Sequence, residues 1–175
     1  MLALARFVQG LKPEFMEALV GTAEAVPFHK MACPYFIPTE KFEDGGWPHR
    51  ARLPLGNGWR GLCTARSDQQ VVPSDDQLRD FCNLGYAVQC QRLPAQHRFD
   101  AVRFSVARDR DQRINVYYVI EAAHRPGAHG VLEYDSAAGQ WAVAHPDPRI
   151  QAMAACYLES YFERRQNRRA AATPA

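Results

Sequence analysis

The spacing of hydrophobic positions changes along this chain. From about 100 to 143 they fall at every second residue. Val102, Phe104 and Val106 alternate with Arg103 and Ser105, and Ile114, Val116, Tyr118 and Ile120 share one face of a second run. Period two is the mark of a half-buried strand. Residues 131–134 and 140–143 make a third and a fourth strand. The polar stretches 108–113, 124–130 and 135–139 read as the turns between them, and links this short make neighbouring strands antiparallel.

Elsewhere the helical period takes over. Residues 13–25 put Phe15, Leu19 and Ala23 on one stripe, with Pro13 suited to the first helical position and Pro27 as a stop. A short helix follows Ser74, where Gln77 three residues on completes a capping box and Asp75 and Asp76 favour the first turn. It places Leu78 and Cys82 on one inward face and ends at Gly85 as C-cap. The last helix opens at Asp147 and Pro148, an N-cap and first-turn pair. Its stripe is Ile150, Met153 or Ala154, Tyr157 and Tyr161, and Arg164, Arg165, Arg168 and Arg169 suit its negative end. Residues 170–175 read as a disordered tail.

Between about 27 and 95 neither period is sustained apart from the short helix. Prolines and glycines recur there, yet so do Tyr35, Phe36, Trp47 and Trp59, and aromatics at that density call for burial. A long stretch without regular structure is uncommon in a compact domain unless something holds it or it has a function.

Composition narrows the class. The 175 residues are 47% hydrophobic and 23% charged, with a net charge of +2, which fits one ordinary globular domain over 1–169 and excludes a chain governed by its charge. No apolar run approaches the roughly 18 residues a membrane-spanning helix needs. Arg6 breaks the apolar start and no cleavage site follows it, so the expectation is a cytoplasmic protein with no membrane contact. Arginine dominates the basic residues but is scattered. Together with Trp47 and Trp59 it gives weak support for a nucleic-acid partner.

The five cysteines matter more. Cys33, Cys63, Cys82 and Cys90 all fall in the segment that lacks a period, separated by 29, 18 and 7 residues, and Cys156 stands apart on the last helix as a core or semi-exposed thiol. Cytosolic thiols stay reduced, which argues against a disulfide framework. Four thiolates converging on one point make a soft-metal site. Structural zinc sites usually show paired cysteines two to four residues apart, and none occurs here. A [4Fe–4S] cube spreads its four corners wider and suits ligands from separate segments. Cys33 is followed by Pro34, a dipeptide that also ends the bacterial ferredoxin run. Phe36, Leu62, Phe81, Leu84 and Tyr86 are candidates to shield such a cluster, and Arg50, Arg52, Arg60 and Arg66 to offset its charge. His29 or His49 is a substitute ligand if one cysteine points away. Cys82, near a helix C-terminus, is poorly placed to be a metal-free nucleophile.

These patterns predict an α+β domain: an antiparallel sheet of about four strands, N- and C-terminal helices, and a long irregular cysteine-bearing segment over 27–95. The function expected is an iron–sulfur protein with a redox, electron-transfer or sensing role and an unidentified redox or protein partner. Its cluster, a [4Fe–4S] centre, is held by Cys33, Cys63, Cys82 and Cys90. Two alternatives stand beside it. One is a zinc-stapled binding module for an anionic partner. The other is a small-molecule enzyme using His124 and His129, with Glu121 and Glu133 nearby.

Overall fold

The computed structural model describes residues 31–42, 53–66, 69–85 and 89–172. The helix expected over 13–25, together with His29, His49, Trp47, Arg50, Arg52 and Tyr86, lies outside the described residues.

The fold is α+β with two antiparallel sheets. The larger is a meander of β4 (Ala101–Arg110), β5 (Arg113–Ala122), β6 (Arg125–Asp135) and β7 (Gln140–Val143), each strand beside the next. These are the four strands the period-two pattern predicts, but the first three run longer and two of the turns are tighter. Asp111 and Gln112 have φ of 53° and 62°, and Ala123 and His124 have φ of 49° and 59°. Two consecutive residues in the left-handed region match the twist of a hairpin. Residues 108–113 and 124–130 are therefore mostly strand. Their charged side chains mark exposed hairpin ends, where polarity accompanies both turn and strand.

The smaller sheet corrects the expectation of an irregular segment over 27–95. It contains β1 (Phe36–Lys41), β2 (Trp59–Arg66) and β3 (Gln69–Val71) in that order. Along β2, Trp59, Gly61, Cys63 and Ala65 are buried, and Arg60, Leu62 and Thr64 are half-buried. Cys63 pairs with Phe36 on one side and with Val71 on the other.

After β3, Ser74 caps α1 (Asp75–Gln77), and both halves of the capping box are present. The chain then widens into one π-helical turn, Leu78–Cys82, with Leu78 and Cys82 buried. The turn ends at Asn83, not at Gly85. Gly85 is needed for close approach instead: a Cβ there would lie 2.9 Å from the Cβ atoms of Ala101 and Met31.

The long helix α2 (Pro148–Ala171) starts as predicted, with Asp147 accepting from the Arg149 amide. It continues through Ala171, so residues 170 and 171 belong to the helix. Ile150, Met153, Ala154, Cys156, Leu158 and Ser160 are its buried residues. Tyr157 and Tyr161 are half-buried at the margin, where the Tyr157 ring stacks on Phe104 at 5.8 Å and the Tyr161 hydroxyl donates to Asp109 at 2.7 Å.

One core joins both sheets and α2. It includes Phe36, Phe42, Leu55 and Trp59 from the first half and Val102, Ile114, Val116 and Leu132 from the meander. Each large side chain fully buried there contributes about 1.5–3 kcal/mol. The halves also share backbone hydrogen bonds. Ala32 and Val102 exchange both, at 2.6 and 2.9 Å. Within the first half, the Gly85 amide donates to the Met31 carbonyl at 2.6 Å. Lys41 at the end of β1 meets Glu159 at 2.8 Å and also Glu163, both on α2. No helix among the described residues is long and apolar enough to cross a membrane.

Candidate cysteine centre

The four cysteines reach one place from four separate segments. Cys33 follows Ala32 directly and is held where Ala32 bridges to β4. Its carbonyl accepts from the Phe36 amide at 3.2 Å, turning the chain into β1. Cys63 lies inward at the centre of β2. Cys82 ends the π-helical turn. Cys90 opens a short turn in which its carbonyl accepts from the Leu93 amide at 3.0 Å.

Asn83 fixes the spacing between two of these segments. It is 1% exposed and fully engaged. Its amide donates to the Trp59 carbonyl at 2.9 Å and the Leu78 carbonyl at 3.0 Å, and its oxygen accepts from the Trp59 amide at 2.9 Å. The residue after Cys82 is thus bonded to the first residue of the strand that carries Cys63.

The segment carrying Cys90 is tied down by His97 and Asp100. His97 bonds the Pro94 carbonyl at 2.8 Å through Nδ1 and meets Asp100 through Nε2. Asp100 also accepts from the Ala123 amide in the β5–β6 turn. The Pro94 carbonyl and the Asp100 carboxylate both raise the His97 pKa.

Cys33, Cys63, Cys82 and Cys90 all line a single pocket, together with Tyr35, Phe36, Ala65, Phe81, Leu93 and Asp100. The pocket holds about 460 Å³ of space outside protein atoms, part of it open to solvent, around a narrow void of about 20 Å³. That void takes about one water-sized sphere. A multinuclear group therefore has to draw on the part that opens to solvent. Among the described residues, no three histidine, cysteine, aspartate or glutamate side chains are grouped so as to hold a metal ion. The cysteines are free thiols.

Burial dominates their electrostatics. It pushes the Cys33 thiol up to about 12, and Cys63 and Cys90 add to the rise. It raises Cys82 further, again with contributions from the other three cysteines. Cys33 and Cys82, held this far up, are inert as nucleophiles at neutral pH. A bound cation reverses this by favouring the thiolate form. Two arginines act in the same direction, Arg149 on Cys33 and Arg92 on Cys82.

Sulfur donors, mostly apolar walls and positive charge at the edge are the chemistry that a soft metal group takes. Of the shielding residues expected, Phe36 and Phe81 line the pocket, whereas Leu84 is 38% exposed. Of the arginines expected, Arg60 pairs with Asp75 at 2.8 Å and lies over the Phe42 ring. Arg66 lines a second cavity that shares Cys63. Arg92 and Arg149 were not anticipated. For Arg92 the signal was its place two residues after Cys90; for Arg149, far along the chain, there was none.

Other candidates separate from this centre. Cys156 is buried on α2, where desolvation raises its pKa to about 12. His124 occupies the β5–β6 turn, and His129 stands on β6 opposite Val119, with its ring 6.1 Å from that of Tyr117. Glu121 pairs with Arg103 at 3.2 Å, and Glu133 pairs with Arg113.

No protein-family model matches the chain, and neither a curated protein nor a solved structure matches it.

Proposed function

We propose that this is an iron–sulfur protein in which Cys33, Cys63, Cys82 and Cys90 hold a [4Fe–4S] cluster, serving electron transfer or redox sensing in the cytoplasm. One observation carries the reading: four cysteines from four separate segments line one largely apolar pocket. The absence of paired cysteines two to four residues apart favours a cluster over a single zinc. Zinc needs four sulfurs each about 2.3 Å from one point. A cube accepts ligands that stand further apart.

When bound, the cluster supplies a reversible electron-transfer couple whose potential depends on burial and on hydrogen bonds to sulfur. The chain's own residues set those conditions. Phe36, Phe81 and Leu93 limit water at the sulfurs. Asn83 keeps the Cys82 turn against the Cys63 strand. His97 and Asp100 anchor the segment that brings Cys90. With all four ligand positions taken by cysteine, the chemistry favours passing or sensing electrons over binding substrate. The partner is then a donor or acceptor of electrons.

Anaerobic purification tests this. The expected product is brown, with broad visible absorbance and equimolar iron and acid-labile sulfide. Cys63→Ser and Cys82→Ser should each lower the iron content. A colourless protein with one zinc per chain would replace the cluster by a zinc-stapled module. A metal-free protein that stays folded with both serines would remove both readings.

A further inference from the structure

Among the described residues, two buried side-chain nitrogens lack a hydrogen-bond partner: Trp59 Nε1 and Arg92 Nε. A buried N–H without an acceptor is costly, and more so on a charged group. Arg92 is also close to the cysteines by two independent measures. It is two residues after Cys90, and it lines a cavity of about 30 Å³ together with Cys63. Arg149, the other cation acting on these thiols, is already engaged by Asp147, with contacts of 2.6 and 3.0 Å. Arg92 has no ion pair to a described residue.

We propose that Arg92 is a positioning residue for the cysteine-held centre, supplying the fixed positive charge and the N–H donor that set its reduction potential. This rests on the cluster reading above. The missing acceptor is then sulfur that gains negative charge on reduction, which is where a donor and a cation raise a potential. The electron comes from an external reductant and returns to an oxidant.

The test is a reductive titration of the anaerobic protein with dithionite, followed by visible absorbance and electron paramagnetic resonance. Arg92→Gln should lower the potential, because reduction then adds charge without a compensating cation. Arg92→Lys keeps the charge but loses the planar donor and should fall between Arg92→Gln and the native protein. It is also the variant to read if Arg92→Gln does not load. Arg66→Gln removes an exposed charge from the same small cavity and should move the potential less. A coloured protein whose potential is the same with Arg92→Gln, or with Arg92→Lys where Arg92→Gln does not load, overturns this inference and leaves the cluster reading standing. A colourless native protein overturns both.

Discussion

Asn83 joins the two elements that carry Cys63 and Cys82, and every polar atom of its side chain is used. Asn83→Ala leaves the Trp59 amide and carbonyl without partners in a dry site, while the Leu78 carbonyl keeps only the backbone amide of residue 83. Each group so orphaned costs about 1–3 kcal/mol. The expected result is a clear fall in the urea midpoint, with iron retention reduced because the Cys82 turn loosens. Asn83→Asp, of nearly the same shape, keeps the acceptor but sets a buried carboxylate oxygen against two carbonyls, so it should be no milder than Asn83→Ala. Gly61 is a second such position. A Cβ there would lie 2.0 Å from the Ile37 carbonyl oxygen, a backbone atom that cannot swing away. Gly61→Ala should therefore separate β1 from β2 and destabilise the protein by at least as much as overpacking a core, about 1–3 kcal/mol, read by thermal melting. Neither residue stood out in the sequence. With Gly85 read as the C-cap, Asn83 reads as part of the turn before Cys90, and Gly61 is one glycine among several in the stretch that lacks a period. Their roles arise only once β1, β2 and the π-helical turn have met.

The elements differ in how much the sequence disclosed of them. The meander was legible because β5 alternates large apolar residues with polar ones, and α2 because Asp147 and Pro148 mark its start. β2 also alternates, but its inward positions after Trp59 are Gly61, Cys63 and Ala65. Small side chains give a weak hydrophobic signal, so period two was present and too faint to read. β1 was masked by Pro38, which stands opposite Gly61 beside a register shift. Proline is tolerated at such a sheet edge or bulge. The segment from Cys90 to Asp100 has no repeating pattern at all, and its order depends on His97. The folded His97 pKa is raised above its ordinary value. Its contribution to stability is therefore complete below about pH 6.5 and is lost as pH rises through the raised value. Hydrogen exchange at the Ala123 amide, which Asp100 holds, should quicken beyond the intrinsic pH trend over that window. His97→Ala should abolish the excess.

At the scale of the molecule, the two halves are held by different means. The meander and α2 have long ladders and aromatic packing such as Tyr134 against Trp141 at 5.3 Å and Phe162 at 6.0 Å. The first half has shorter strands and places four thiols at its centre. A ligand bound only by the folded state stabilises what it touches. On the cluster reading, stripping the metal with ferricyanide and a chelator should therefore raise hydrogen exchange over 31–42, 59–66, 69–71, 78–85 and 89–93 and leave β5, β6 and the middle of α2 nearly as slow as before. Uniform loss of protection would show instead that the halves unfold as one. That the cysteines belong together was legible from their number and their shared segment; the charges around them were not, because Arg149 comes from α2. The two backbone hydrogen bonds between Ala32 and Val102 carry a consequence for biosynthesis. A ribosome releases Cys33, Cys63, Cys82 and Cys90 before it has made the strand that seats the first of them. The nascent chain therefore passes through an interval in which all four thiols have emerged and the pocket is not yet built. On the cluster reading, loading is then a late event, timed by completion of the meander, and until it the thiols have to stay reduced to remain available.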